Sequence, residues 1–131
     1  MTVKKLMKNE MKAVQKIGHS EFETEVLHSR RPVLVSFITD WSKPCQLLGS
    51  VLEEVAETCC GKIKVLTLNV DDNPDLGNLY GVQSVPTLTC FINGAVRIKI
   101  VGMASSKAIL EKLQTLVPGI ASPDVPKSKG I

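Results

Sequence analysis

Residues 33–46 read V-L-V-S-F-I-T-D-W-S-K-P-C-Q: an apolar run, a short polar break, and then the opening of a helix. Val33, Val35, Phe37 and Ile38 suit a pleated, buried strand. Ser42 is a favoured helix N-cap and Pro44 fits the first helical turn, so the chain reverses here from strand to helix. Leu48, Leu52, Val55, Ala56 and Cys59 then recur at helical spacing, with Glu53, Glu54 and Glu57 on the other face. Gly61 is placed to stop that helix in a left-handed conformation. Residues 63–70, I-K-V-L-T-L-N-V, form a second β-like run. Strand, helix and strand over about 40 residues make a βαβ unit, which gives parallel neighbours and a right-handed crossover.

The pattern changes on either side of that unit. Downstream, Asn73-Pro74 opens a short helix through Leu79, closed by Gly81. Two strands follow, residues 87–92 and 95–101, joined by Asn93-Gly94; an Asn-Gly pair between β-like runs marks an antiparallel hairpin. Ser105 or Ser106 caps a last amphipathic helix carrying Ile109, Leu110, Leu113, Leu116 and Val117, and Pro118 ends it. Upstream, residues 13–17 read as a short edge strand. Ser20 heads S-E-F-E, a capping box with Glu23 that starts a helix running to about His28. The predicted order is β-α-β-α-β-α-β-β-α, an α/β domain with a mixed central sheet flanked by helices.

The chain has 131 residues, 44% hydrophobic and 22% charged, and a net charge of +3. That length suits one domain. The positive charge sits at the ends. Residues 1–18 hold five lysines against Glu10, and residues 119–131 hold Lys127 and Lys129 against Asp124, so residues 19–118 carry a net −2. Residues 1–11 are read as a basic extension and 118–131 as a disordered, proline-containing tail, leaving 12–117 as the folded domain. With five aromatics and no basic-aromatic stripe, nucleic acid is not an expected partner. No apolar run approaches the ~20 residues of a membrane helix, and the basic N-terminus lacks a signal peptide's apolar core. The expected setting is a cytoplasmic monomer with reduced thiols and no membrane partner.

Residues 12–117 resemble the thioredoxin family. The resemblance rests on V-L-V-S-F leading into D-W-S-K-P-C and on N-V-D-D-N-P after the third strand. It also rests on V-P-T-L entering the fourth, F-I-N-G at the hairpin and V-G-M-A before the last helix. It implies the thioredoxin fold and thiol–disulfide exchange through W-C-G-P-C. In that chemistry a helix-N-terminal thiolate attacks a substrate disulfide and a second cysteine resolves the mixed disulfide.

Carried over to this chain, the attacking position is Ser42 and the resolving position Cys45, with Lys43 in place of glycine and Pro44 retained. A serine hydroxyl is un-ionised at neutral pH and needs an adjacent base to attack. The two histidines, His19 and His28, flank the first helix, and nothing in the sequence brings either to Ser42. The family's buried aspartate and its lysine partner map to Ser36 and Thr67, a change that removes both charges of a pair together. The family's tryptophan before the turn is Ile38, and its helix-kinking proline is Ser50. Two-cysteine exchange is therefore not expected.

The resemblance also implies a surviving groove. Pro86, in V-P-T, matches the family's cis-proline, whose neighbouring backbone can pair with an extended peptide. Trp41, Lys43, Pro44, Val85, Pro86, Gly102 and Met103 are expected to line it, with a protein or extended peptide as the partner. The expected function is a binding module in a redox-related context. The alternative is an enzyme, a monothiol oxidoreductase or thiol sensor using Cys45. Cys59 and Cys90 read as core residues, and the vicinal Cys59-Cys60 pair reads as helix-end packing because a disulfide between neighbours is strained. No metal or cofactor is expected, since no Cys or His pairs have ligand spacing.

Overall fold

A computed structural model of the chain describes residues 13–120. Strand β1 (Val14–Ile17) leads into helix α1 (His19–Phe22), which continues as a π-helical segment over Glu23–Leu27. Then come β2 (Val33–Ile38), α2 (Lys43–Cys59), β3 (Lys64–Asn69), α3 (Pro74–Leu79), the hairpin β4 (Thr87–Ile92) and β5 (Ala95–Val101), and α4 (Ser106–Leu116). The sheet order is β1-β3-β2-β4-β5. β2 and β1 run parallel to β3, while β4 is antiparallel to β2 and β5 to β4. The expected element order and mixed sheet are therefore present, with 13–17 at the edge.

Alternation along the strands splits the core. On one face, Leu34, Val65, Leu88 and Cys90 pack under α2 and α4 through Leu48, Leu52, Val55, Cys59, Ile109 and Leu113. On the other, Val35, Phe37, Leu66, Leu68 and Phe91 pack under α1 and α3 through Phe22, Val26 and Leu76. That second face holds an aromatic cluster. Tyr80 meets Phe91 edge-on at 5.2 Å, and Phe22 meets Phe91 at 5.8 Å.

Local chemistry explains the boundaries. The hairpin turn places Asn93 at φ 53° and Gly94 at φ 81°, the left-handed pair that matches strand twist. A Cβ at Gly94 would lie 2.9 Å from the Leu27 carbonyl oxygen, so glycine is required there for space as well as for φ. Ser105 caps α4, its Oγ accepting from the Ala108 N–H at 3.1 Å. Helix α2 ends one step earlier than Gly61 alone implies, because Cys60 is itself left-handed at φ 51°.

Three sequence expectations move. Helix α1 is capped at Gly18, not Ser20: the Gly18 N–H donates to Glu21 Oε1 at 2.8 Å. Both G-H-S-E and S-E-F-E place a glutamate three residues on, and the chain uses the earlier one. That helix also widens into a π-helical turn, which carries no sequence signature. Residues 118–120 belong to the fold and not to a tail. Ile120 is fully buried in the aliphatic core, and Lys62 Nζ donates to the Gly119 carbonyl at 3.0 Å. The rest of that tail, and the basic extension 1–11, lie outside the described residues.

Candidate functional site

The turn between β2 and α2 lies at the end of β2, the central strand of the sheet. Ser42 is the N-cap of α2 in extended conformation, and its Oγ accepts from the Cys45 N–H at 3.4 Å. Its carbonyl accepts the first helical bond, from Gln46 N at 3.1 Å. This is the capping role that serine plays well, contributing about 1 kcal/mol. Both side chains face inward: Ser42 is 5% exposed and Cys45 6%. Lys43 and Pro44 stand exposed on the first helical turn. Gln46 Nε2 ties the helix back to the Asp40 carbonyl at 2.9 Å.

Trp41 is 73% exposed yet held in place, since its indole N–H donates to Asp71 Oδ2 at 2.8 Å. Asp71 is positioned in turn by Asn69, a buried residue at the end of β3. Asn69 Oδ1 accepts from Asp71 N at 2.8 Å and from Asp72 N at 3.3 Å. The stretch N-V-D-D-N-P thus works as a bracket for the indole, a role that became visible only when the two loops met.

Ser36 is fully buried, and its hydroxyl has no hydrogen-bond partner among the described residues. Thr67 is its register neighbour on β3. Thr67 itself is half-buried and lines a separate pocket of about 440 Å³ with Gly49, Leu52 and Glu53. The two residues are therefore adjacent, and neither is charged. Ser50, within α2, sits in an uninterrupted helix of 17 residues.

The Val85-Pro86 peptide is cis, and Pro86 is buried, with its carbonyl accepting from Gly102 N at 2.8 Å. Beside Trp41 runs a groove of about 430 Å³. Of the expected lining, Trp41 and Val85 take part, joined by Ser42; Lys43, Pro44, Pro86, Gly102 and Met103 do not. Pro86 lies beneath the surface, and Lys43 and Pro44 belong to the helix start. The groove is completed by Thr39, Val70, Asp71, Val82, Gln83 and Ser84. Thr39 is 3% exposed and its hydroxyl has no partner among the described residues. The sequence reading did not single out Asp71, Gln83 or Ser84, because they come from loops that only the fold brings together.

This arrangement of sheet, turn and cis-proline matches a known family. A thioredoxin family model matches residues 13–115. The chain belongs to the thioredoxin family. It is 38% identical over 95 residues to a thioredoxin of Rickettsia felis, covering 72% of this chain and 90% of that protein. It is 38% identical over 104 residues to thioredoxin 1 of a Nostoc species, covering 79% and 97%. A thioredoxin of Mycobacterium bovis is 38% identical over 112 residues, covering 86% and 97%.

Within this thioredoxin-family chain all four cysteines are free thiols. Cys59 and Cys90 are buried in the aliphatic core, and burial pushes each thiol up to about 11. For Cys59 the neighbouring Cys60 adds to the rise and Lys62 opposes it. For Cys90, Arg97 opposes the rise and Cys59 adds a little. Cys60 is exposed at the helix end, with its Sγ donating to the Glu57 carbonyl at 3.3 Å. Among the described residues no group of His, Cys, Asp and Glu is placed to hold a metal ion. No helix among them is long and apolar enough to cross a membrane.

Proposed function

We propose that this thioredoxin-family protein does not perform two-cysteine exchange, and that it acts by binding an extended segment of a partner protein beside Trp41. One observation carries the reading. Where the family's attacking thiol belongs, Ser42 offers a buried hydroxyl already committed to capping α2. Cys45, next in line, has no thiol at the other end of its motif. A hydroxyl without a base does not attack a disulfide. The neutral pair Ser36 and Thr67 supports the same reading, because the residues that would manage a proton at Cys45 are missing.

Binding is supported by the groove itself. Trp41 presents an exposed indole fixed by Asp71, and the backbone N–H and C=O of Val85 carry no hydrogen bond among the described residues. Such free main-chain groups can take up an extended peptide as one more strand pairing. The burial of Cys45 counts against the monothiol alternative.

Two measurements test this. In insulin reduction with dithiothreitol, the wild-type chain should give no catalysis above background; turnover like that of a two-cysteine thioredoxin overturns the proposal. In thiol titration of the native chain, Cys60 should react first, while Cys45 stays silent until denaturant is added. Ser42→Cys should bring back only weak reductase activity, since Ser36 and Thr67 remain uncharged. Full activity in that variant would show that the hydroxyl alone disables the site.

A further inference from the structure

We propose that the groove beside Trp41 selects a peptide bearing a cationic side chain, lysine or arginine, at the position that enters it. This rests on the groove-binding reading above and adds the chemistry of the occupant. The groove's lining contains a single charged side chain, Asp71. Its Oδ2 accepts the Trp41 indole N–H, while Oδ1 takes no hydrogen bond and the carboxylate has no cationic partner among the described residues. Asp40 and Asp72, exposed on the same two loops, reinforce the sign. Lys43 opposes it, but it stands on the first turn of α2 and outside the lining.

Shape and polarity agree with charge. Val70, Val82 and Val85 give the groove apolar walls. A lysine or arginine can lay its methylene stem along such a surface while its head stays at the polar end. The pinned indole adds an exposed ring face, on which a cation is attracted by the ring quadrupole. A leucine would satisfy the walls and leave Asp71 unused. A glutamate would meet the Asp71 carboxylate, with Asp40 and Asp72 adding like charge on the same loops. The free backbone of Val85 then holds the peptide extended, so that one side chain points into the groove.

Trp41 is the chain's sole tryptophan, so its emission reports on this groove directly. The probes are four blocked hexapeptides that differ only at the central residue, arginine, lysine, leucine or glutamate, titrated into the full-length chain. The arginine and lysine peptides should bind about tenfold more tightly than the leucine peptide, with glutamate weakest. Asp71→Asn keeps an oxygen for the indole N–H; it should remove the arginine-over-leucine preference, taking the ratio of the two affinities from about tenfold to about one. Equal binding of leucine and arginine, or indifference to D71N, overturns the charge selection while the groove-binding reading stands. If no peptide alters Trp41 emission or releases heat at millimolar concentration, groove binding falls and the selection falls with it.

Discussion

Beneath α1 and α3 the sheet is covered by aromatic rings, and the two β4 threonines buried on that face are paired. Thr87 Oγ1 donates to the Ser84 carbonyl at 2.7 Å and Thr89 Oγ1 to the Val35 carbonyl at 3.3 Å. Beneath α2 and α4 the cover is aliphatic, and the serine buried there, Ser36, has no partner. A buried hydroxyl left unpaired costs about 1–3 kcal/mol. Thr39, just after β2, is the other buried hydroxyl without a partner among the described residues, so both unpaired hydroxyls lie on the stretch that leads into the Ser42–Cys45 turn. The lesson is that incompleteness gathers around the turn, where the family's proton-handling pair would stand.

The comparison breaks or holds on packing first. Phe91→Ala, in the aromatic cluster, should cost about 4 kcal/mol in urea denaturation, and Leu48→Ala, under α2, about 3 kcal/mol. A larger loss at Leu48 would show that the aliphatic face is the better packed of the two.

High pH separates the faces next, because both buried core thiols lie on the aliphatic one. Cys59 and Cys90 ionise at about 11 in the folded chain, against 9.0 for an ordinary thiol. The folded state therefore keeps protons that the unfolded state releases. Their contribution to stability is fully present below pH 9 and is lost as pH rises through about 11. Tyr80, raised from 10.0 by burial on the aromatic face, acts in the same sense at higher pH. Denaturation midpoints measured from pH 8 to 11 should fall. The Cys59→Ala/Cys90→Ala variant, weaker at pH 7, should fall less steeply.

The smallest effects sharpen the contrast most directly. Thr89→Val, which removes a paired hydroxyl, should cost about 1 kcal/mol. Ser36→Ala, which removes an unpaired one, should be neutral or stabilising by about 1 kcal/mol. Equal losses in thermal melts of the two variants would mean that Ser36 is satisfied in solution and that the asymmetry is not real.

Most of the scaffold was legible because its signals are local. The apolar, β-branched runs at residues 33–38 and 64–69, the helical stripe from Leu48 to Cys59, Asn93-Gly94 and the Ser105 cap each depend on neighbours within a turn or two. Ser42 was legible as a cap for the same reason. The shifted cap at Gly18 and the π-helical turn escaped because two frames fit the same glutamates and because a widened turn has no residue preference. The groove was legible only in part. Trp41 and Val85 belong to motifs, whereas Asp71, Gln83 and Ser84 acquire their meaning when the β3–α3 and α3–β4 loops meet the indole. Ile120 escaped because a single isoleucine beyond Pro118-Gly119 has no periodicity to announce it.

That isoleucine sets where the chain can be cut. A version ending at Val117, after the last helical repeat, would lose a fully enclosed side chain and the Gly119 carbonyl that Lys62 grips. Expression tags, fusions and deletion series at this terminus therefore need to begin after residue 120, or the hole they leave will be mistaken for a property of whatever was attached.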